Sequence, residues 1–225
     1  MNQKTKDGLY VTILVGVFVV AVAMWKGNFE KENVQNSSET RIEQHVSYVG
    51  FPYEQQIGYA DIIFAGKLIN ISATRWNQDS GEYWEKTSLD EAIPLQYHTL
   101  TFEVSKIIID KTGSTNQNTI EITVLGISPL DGKADHELSL GDSVVVFAQK
   151  TNLAWRNNNQ TMSVLEIVTS PSLAFFIQEK SGSGLYKGKV IHDLGKGNFE
   201  TVDIAIPIQD LTTQIRDINL NQSLP

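Results

Sequence analysis

The strongest constraint on this chain is an uninterrupted apolar run, LYVTILVGVFVVAVAMW, over residues 9–25. A stretch of this length without a charge or a turn favours a membrane helix over a buried strand. At about 1.5 Å rise per residue it spans roughly 25 Å as a helix, close to the roughly 30 Å core of a bilayer. Tyr10 and Trp25 suit the headgroup belt, and Lys26 can snorkel to the interface. Lys4 and Lys6 precede the run against one acid, Asp7, whereas Lys26 and Lys31 behind it are interleaved with Glu30 and Glu32. This bias leaves residues 1–8 in the cytoplasm and puts the remainder outside, as a single-pass protein of the cell membrane. The alternative is a signal peptide: Ala21-Val22-Ala23 has cleavage-site spacing, and a cut between Ala23 and Met24 would give a secreted domain. Asp7-Gly8 stands where a prepilin cleavage site would, but the run is short for a filament core.

Residues 26–50 are polar, without a sustained apolar period, and read as a linker. Residues 51–225 are enough for one extracytoplasmic domain with its own core. The chain has no cysteine, so disulfides, thiolate metal sites and cysteine nucleophiles are excluded. Its net charge of −8 argues against a nucleic-acid partner, which calls for basic stripes. Sequons at Asn36, Asn70, Asn159 and Asn221 are no more than composition supplies by chance.

From residue 61 onward the pattern is that of strands. Residues 53–59 form a short helix between Pro52 and Gly58. IIFAGKLINISATRW is long enough for a bent barrel strand, with Gly66 at the bend. In TLTFEVSKIII, residues Leu100, Phe102 and Val104 alternate with Thr101, Glu103 and Ser105, and TIEITVL repeats the alternation across a polar hairpin loop. SVVVFA, residues 143–148, is apolar throughout and should cross the core. Strands follow over 162–168, 173–178 and 185–192. A final helix starts near Pro207 with Ile208, Leu211, Ile215 and Ile218 on one stripe, which should lie across a sheet face or barrel opening.

Ala60-Asp61 with IIFAGKLINI, then LTFEVSKIII, IEITVL and LSLGDSVVVFA, together resemble an exported bacterial domain similar to the N-terminal OB-fold of the tissue inhibitors of metalloproteinases. The resemblance covers about residues 60–150 and rests on strand order and apolar pattern. It implies a mainly β fold: an OB-like β-barrel with a C-terminal amphipathic helix, preceded by one N-terminal transmembrane or signal helix. The animal inhibitors place an N-terminal cysteine on the protease zinc. This cysteine-free chain has no position to which that role can be carried.

Candidate chemistry is sparse. His45, His98, His136 and His192 are far apart and none makes the i, i+4 pair of a zinc helix. No nucleophile elbow, P-loop or dinucleotide fingerprint occurs, so no enzyme is evident and no cofactor is expected. Asp131, Asp135 and Glu137 make the densest group of oxygen ligands. They lack the alternating pattern of a calcium loop and read as a solvated hairpin loop. The insert 74–97 is more informative, because loops of that length are commonly functional. Trp76, Tyr83 and Trp84, joined by Trp155 and Arg156, are expected either to line a binding rim or to pack down as a lid. The expected function is therefore an extracytoplasmic β-barrel that binds a protein, peptide or envelope polymer and is held to the membrane through residues 9–25. An exported hydrolase or metal-dependent enzyme, or a structural subunit of an envelope complex, are the alternatives.

Overall fold

The computed structural model describes residues 50–113, 117–133, 136–156 and 161–222. The cytoplasmic segment 1–8, the apolar segment 9–25 and all but the last residue of the linker lie outside them. Among the described residues no helix is long and apolar enough to cross a membrane.

The protein is mainly β, built on one sheet that closes on itself and then continues past the closure. In chain order the elements are α1 (Tyr53–Tyr59), β1 (Ile62–Ile71), β2 (Arg75–Trp76), β3 (Gln96–Asp110), β4 (Thr119–Leu125), β5 (Ser143–Ala154) and β6 (Thr161–Ile167). Then come α2 (Pro171–Ala174), β7 (Phe175–Gln178), β8 (Leu185–Gly195), β9 (Asn198–Pro207) and α3 (Ile208–Gln222). Strand β1 pairs with β3 on one edge and β5 on the other, so the circuit β1-β3-β4-β6-β5 returns to β1. Its pairings are antiparallel except β4–β6, which is parallel and held by the single register pair Thr123↔Glu166. From β5 the sheet runs on through β7 and β8 to β9.

Closing five strands requires sharp curvature, and the β1–β3 pair supplies it. Its register shifts at Ile63/Phe64 and Ala65/Gly66, with the extra residue on β3, and at Leu68/Asn70, with the extra residue on β1, irregularities that bend a strand. At Gly66 the backbones approach so closely that a Cβ would lie 2.8 Å from the Glu103 carbonyl oxygen. Glycine is the residue that permits this contact.

The strands at the junction read as continuous apolar runs because both their faces are buried. In β5, Val144, Val146 and Ala148 point into the barrel with Phe64, Leu100 and Phe102. Val145 and Phe147 point the other way into a second cluster with Ile63, Phe176 and Val190. Helices α1 and α3 cover that outer face. Ile57, Leu211 and Ile215 are fully buried, and burying each such side chain stabilises by about 1.5–3 kcal/mol. Gln222 Nε2 donates to the Glu54 carbonyl at 2.7 Å and ties α3 to α1.

Several boundaries differ from those expected of the sequence: β1 ends at Ile71, β3 begins at Gln96 and β5 runs on to Ala154. Residues 171–174 form a helical turn before β7 begins at Phe175, with Pro171 at the start of the turn. Strand β9 lies in a stretch to which the sequence reading gave no element. Its Val202, Ile204 and Ile206 alternate with exposed residues and pack on the helix-covered cluster.

Candidate functional site

The insert between β1 and β3 is organised around one buried amide. Asn77 is fully buried, and its Nδ2 donates to the carbonyls of Ile93 and Ala154, both at 2.8 Å. Its Oδ1 accepts from Trp84 Nε1 at 3.1 Å and from the Leu95 N–H at 2.8 Å. Both amide hydrogens and both oxygen lone pairs are thus in use. The Asn77 carbonyl also accepts from the Arg156 N–H at 3.0 Å. Ala154 and Arg156 belong to the end of β5 and the loop behind it, so this amide joins the first inter-strand loop of the barrel to the last.

The aromatic and cationic candidates sit on this joint. Trp84 is turned inward, 2% exposed, and the Arg156 guanidinium lies over its ring at 4.8 Å from the centroid. Arg156 Nη1 donates to Gln78 Oε1 at 3.0 Å, and its Nε lies 3.5 Å from the Asp90 carboxylate. Hydrogen bonds from Thr87 hold Asp90 below the usual carboxylate range, and Arg156 adds to the effect. Trp155 Nε1 donates to Asp79 Oδ1 at 2.7 Å while its ring packs 6.1 Å from that of Tyr97. Trp76 and Tyr83 meet edge to face at 4.9 Å, with Tyr83 half exposed. The structure therefore collects all five residues on one loop pair: Trp84 lies inside it, and Trp76 and Tyr83 lie towards solvent.

Beside this loop pair runs a groove of about 890 Å³ on the outer face of the barrel. Arg75 and Tyr97 stand among its lining residues, with Thr99 and Thr101 from β3, Glu121 from β4 and Met162 from β6. Its walls are mostly hydroxyl and amide side chains, because these positions are the outward half of the strand alternation. At the one-pair seam, burial raises the pKa of Glu166 above the usual carboxylate range.

A second cavity, of about 510 Å³, lies where the sheet leaves the barrel, among His136, Phe175, Lys187, Lys189 and Asp203. At its edge His136 Nε2 lies 3.0 Å from His98 Nε2, and both rings are buried. The Leu138 N–H donates to His136 Nδ1 at 3.3 Å, which puts the His136 proton on Nε2. His98 Nδ1 faces the Gly126 carbonyl at 3.4 Å and carries the proton there, so His98 Nε2 accepts from His136. Burial, and secondarily the His98 ring, push the His136 pKa down to about 4. With each ring nitrogen engaged, the pair acts as a clasp, its facing nitrogens turned on one another rather than into the cavity. In the sequence the two histidines stand 38 residues apart with no sign of this contact.

Of the oxygen-ligand candidates, Asp131 accepts from the Thr74 N–H, the bond that chiefly lowers its pKa. Glu137 lines the second cavity, and Asp135 lies outside the described residues. Among the described residues no three His, Asp or Glu side chains gather as a metal site. Comparison with protein-family models, curated proteins and solved structures returns no match for this chain.

Proposed function

We propose that this chain is an extracytoplasmic binding module: an OB-like barrel, similar in plan to the N-terminal domain of the metalloproteinase inhibitors, that holds a protein, peptide or envelope polymer. The strand circuit supports the OB assignment, since a five-stranded barrel with one parallel seam is its topology. The observation that carries the binding reading is the groove beside the joined loops. In OB folds the face of the second and third barrel strands, bordered by the first and last inter-strand loops, is the usual ligand surface. Here β3 and β4 are those strands, and the Asn77 joint fixes those loops beside the groove. The apolar run 9–25 supplies the membrane tether, or the export signal if the chain is cut between Ala23 and Met24.

A photocrosslinking residue in place of Thr101, in the full chain within native membranes, tests this reading. Thr101 lines the groove, whereas Leu89 is 91% exposed on the insert and serves as the control position. A discrete adduct from position 101 and none from position 89 is the expected result. Equal labelling at both positions, or none at 101, rejects the groove as the binding surface. An adduct seen only with a second copy of the chain points instead to a structural subunit.

A further inference from the structure

We infer that the groove takes an extended peptide segment, bound through main-chain hydrogen bonds to an open strand edge at the β4–β6 seam. The inference rests on the groove being the binding surface and names the chemistry of its occupant. The seam has one register pair, Thr123↔Glu166, although β4 begins at Thr119 and β6 at Thr161. Towards those ends each strand keeps a partner on one edge: β4 pairs with β3, and β6 with β5. No other strand among the described residues pairs with either.

The direction of the unused backbone groups follows from alternation. The Val104 N–H donates to the Asn118 carbonyl at 2.9 Å, and the Gly126 N–H to the Gln96 carbonyl at 2.9 Å. In an antiparallel ladder, residues take turns facing the partner. Even-numbered residues of β4 therefore bond to β3, while Thr119, Glu121 and Thr123 turn their N–H and C=O groups towards β6. Thr123 uses its groups in the seam; Thr119 and Glu121 point theirs into the groove. On β6 the Val168 N–H donates to the Phe147 carbonyl at 3.1 Å, which by the same alternation turns Thr161 and Ser163 away from β5. All four residues are exposed.

An open edge inside a groove is a template for another strand. A sugar chain could bond to the hydroxyl walls but would not match the two-residue repeat of backbone donors and acceptors. From Thr119 to Glu121 the open edge runs about 7 Å at roughly 3.3 Å per residue, enough for a segment of about three residues. Met162 and Val164 offer apolar contact to alternate side chains of that segment, and Arg75 offers a site for an acidic one.

The test uses the full-length protein in lipid nanodiscs and a phage-displayed library of random dodecapeptides, with the best binder resynthesised. Glu121→Pro removes an N–H that no strand among the described residues uses, and proline is tolerated where a strand N–H faces outward. Glu121→Ala keeps that N–H and removes the carboxylate. The expected result is at least about tenfold weaker binding to Glu121→Pro and nearly unchanged binding to Glu121→Ala, a loss of about 1.4 kcal/mol or more. If Glu121→Pro does not fold, N-methylation of alternate peptide residues makes the same measurement on the unaltered protein. A tenfold loss in one alternation phase supports the inference. Equal losses in both Glu121 variants, insensitivity to N-methylation, or a library without binders overturns it. Soluble peptidoglycan fragments that bind wild type and fail to bind Thr101→Trp would overturn the peptide while leaving the groove as the binding surface. Absence of a crosslink from position 101 rejects the groove itself.

Discussion

Two concavities of the domain spend their polar groups in opposite ways. In the cavity beside β7 and β8, the histidine clasp uses its ring nitrogens on one another and on the backbone. In the groove beside β3 and β4, the loop pair at the border is fully bonded while the strand edge is left open. A closed set of hydrogen bonds holds structure, whereas unused donors and acceptors next to a rigid frame can take a ligand. Under the proposed function the contrast separates stability from recognition within one barrel, and each side can be broken by substitution.

The largest effect is expected at the frame. Trp84 is nearly fully buried and carries Arg156 on its outer face. Trp84→Ala should cost about 3–5 kcal/mol, the usual range for emptying a buried aromatic site. Chemical denaturation measures it. A loss below about 1 kcal/mol, the range of exposed positions, would mean that the ring is not a structural element of the loop pair.

Asn77→Ala should cost somewhat less, about 2–4 kcal/mol, because it strands the Trp84 and Leu95 donors and two carbonyls in a dry site. It should also abolish crosslinking from position 101, since the two loops then lose their common anchor. The nitrogen-15 shifts of His98 and His136 should stay in place. If they move with the groove signals, the two regions are one cooperative unit and the contrast fails.

The histidine clasp predicts a pH dependence. In the unfolded chain His136 takes up its proton near pH 6.5, in the folded chain near pH 4. The unfolded state thus binds more protons between those values, and stability rises with pH. The contribution is complete above about pH 6.5 and is lost as pH falls towards 4, an effect on the order of 2 kcal/mol. Denaturation midpoints of wild type and His136→Gln at pH 7 and pH 4.5 isolate it from the carboxylates. Parallel pH slopes in the two proteins would show that the clasp carries no such linkage.

Legibility in the sequence followed the range of the interactions. Strand β4 was readable to the residue because its alternation is local, and the run 143–148 could be placed in the core because both its faces are buried. The stripe on α3 was readable for the same reason. Strand β9 carried an alternation of Val202, Ile204 and Ile206, but with its other residues exposed it lacks the apolar weight of a core strand. The clasp joins residues 38 apart in sequence, and only barrel closure brings them together. Asn77 looks like any asparagine in a polar loop until the far end of β5 arrives beside it. The aromatic cluster was readable as a group, but its division into a buried and an outward part was not, because that depends on which ring the amide captures.

The smallest stability effect belongs to the outward part of that cluster. Trp76 and Tyr83 pack on one another at the solvent side, with Tyr83 47% exposed. Trp76→Ala should therefore cost only about 1 kcal/mol, the worth of an edge-to-face pair with modest burial. Against Trp84→Ala, this difference of several-fold is the sharpest measure of how the insert is divided. The same variant bears on recognition. A drop in crosslinking from position 101 without a matching drop in stability would make Trp76 part of the ligand surface. If yield and stability are both unchanged, the surface is confined to the strand-lined groove. If Trp76→Ala destabilises as much as Trp84→Ala, the whole insert is a packed lid and recognition rests on β3, β4 and β6 alone.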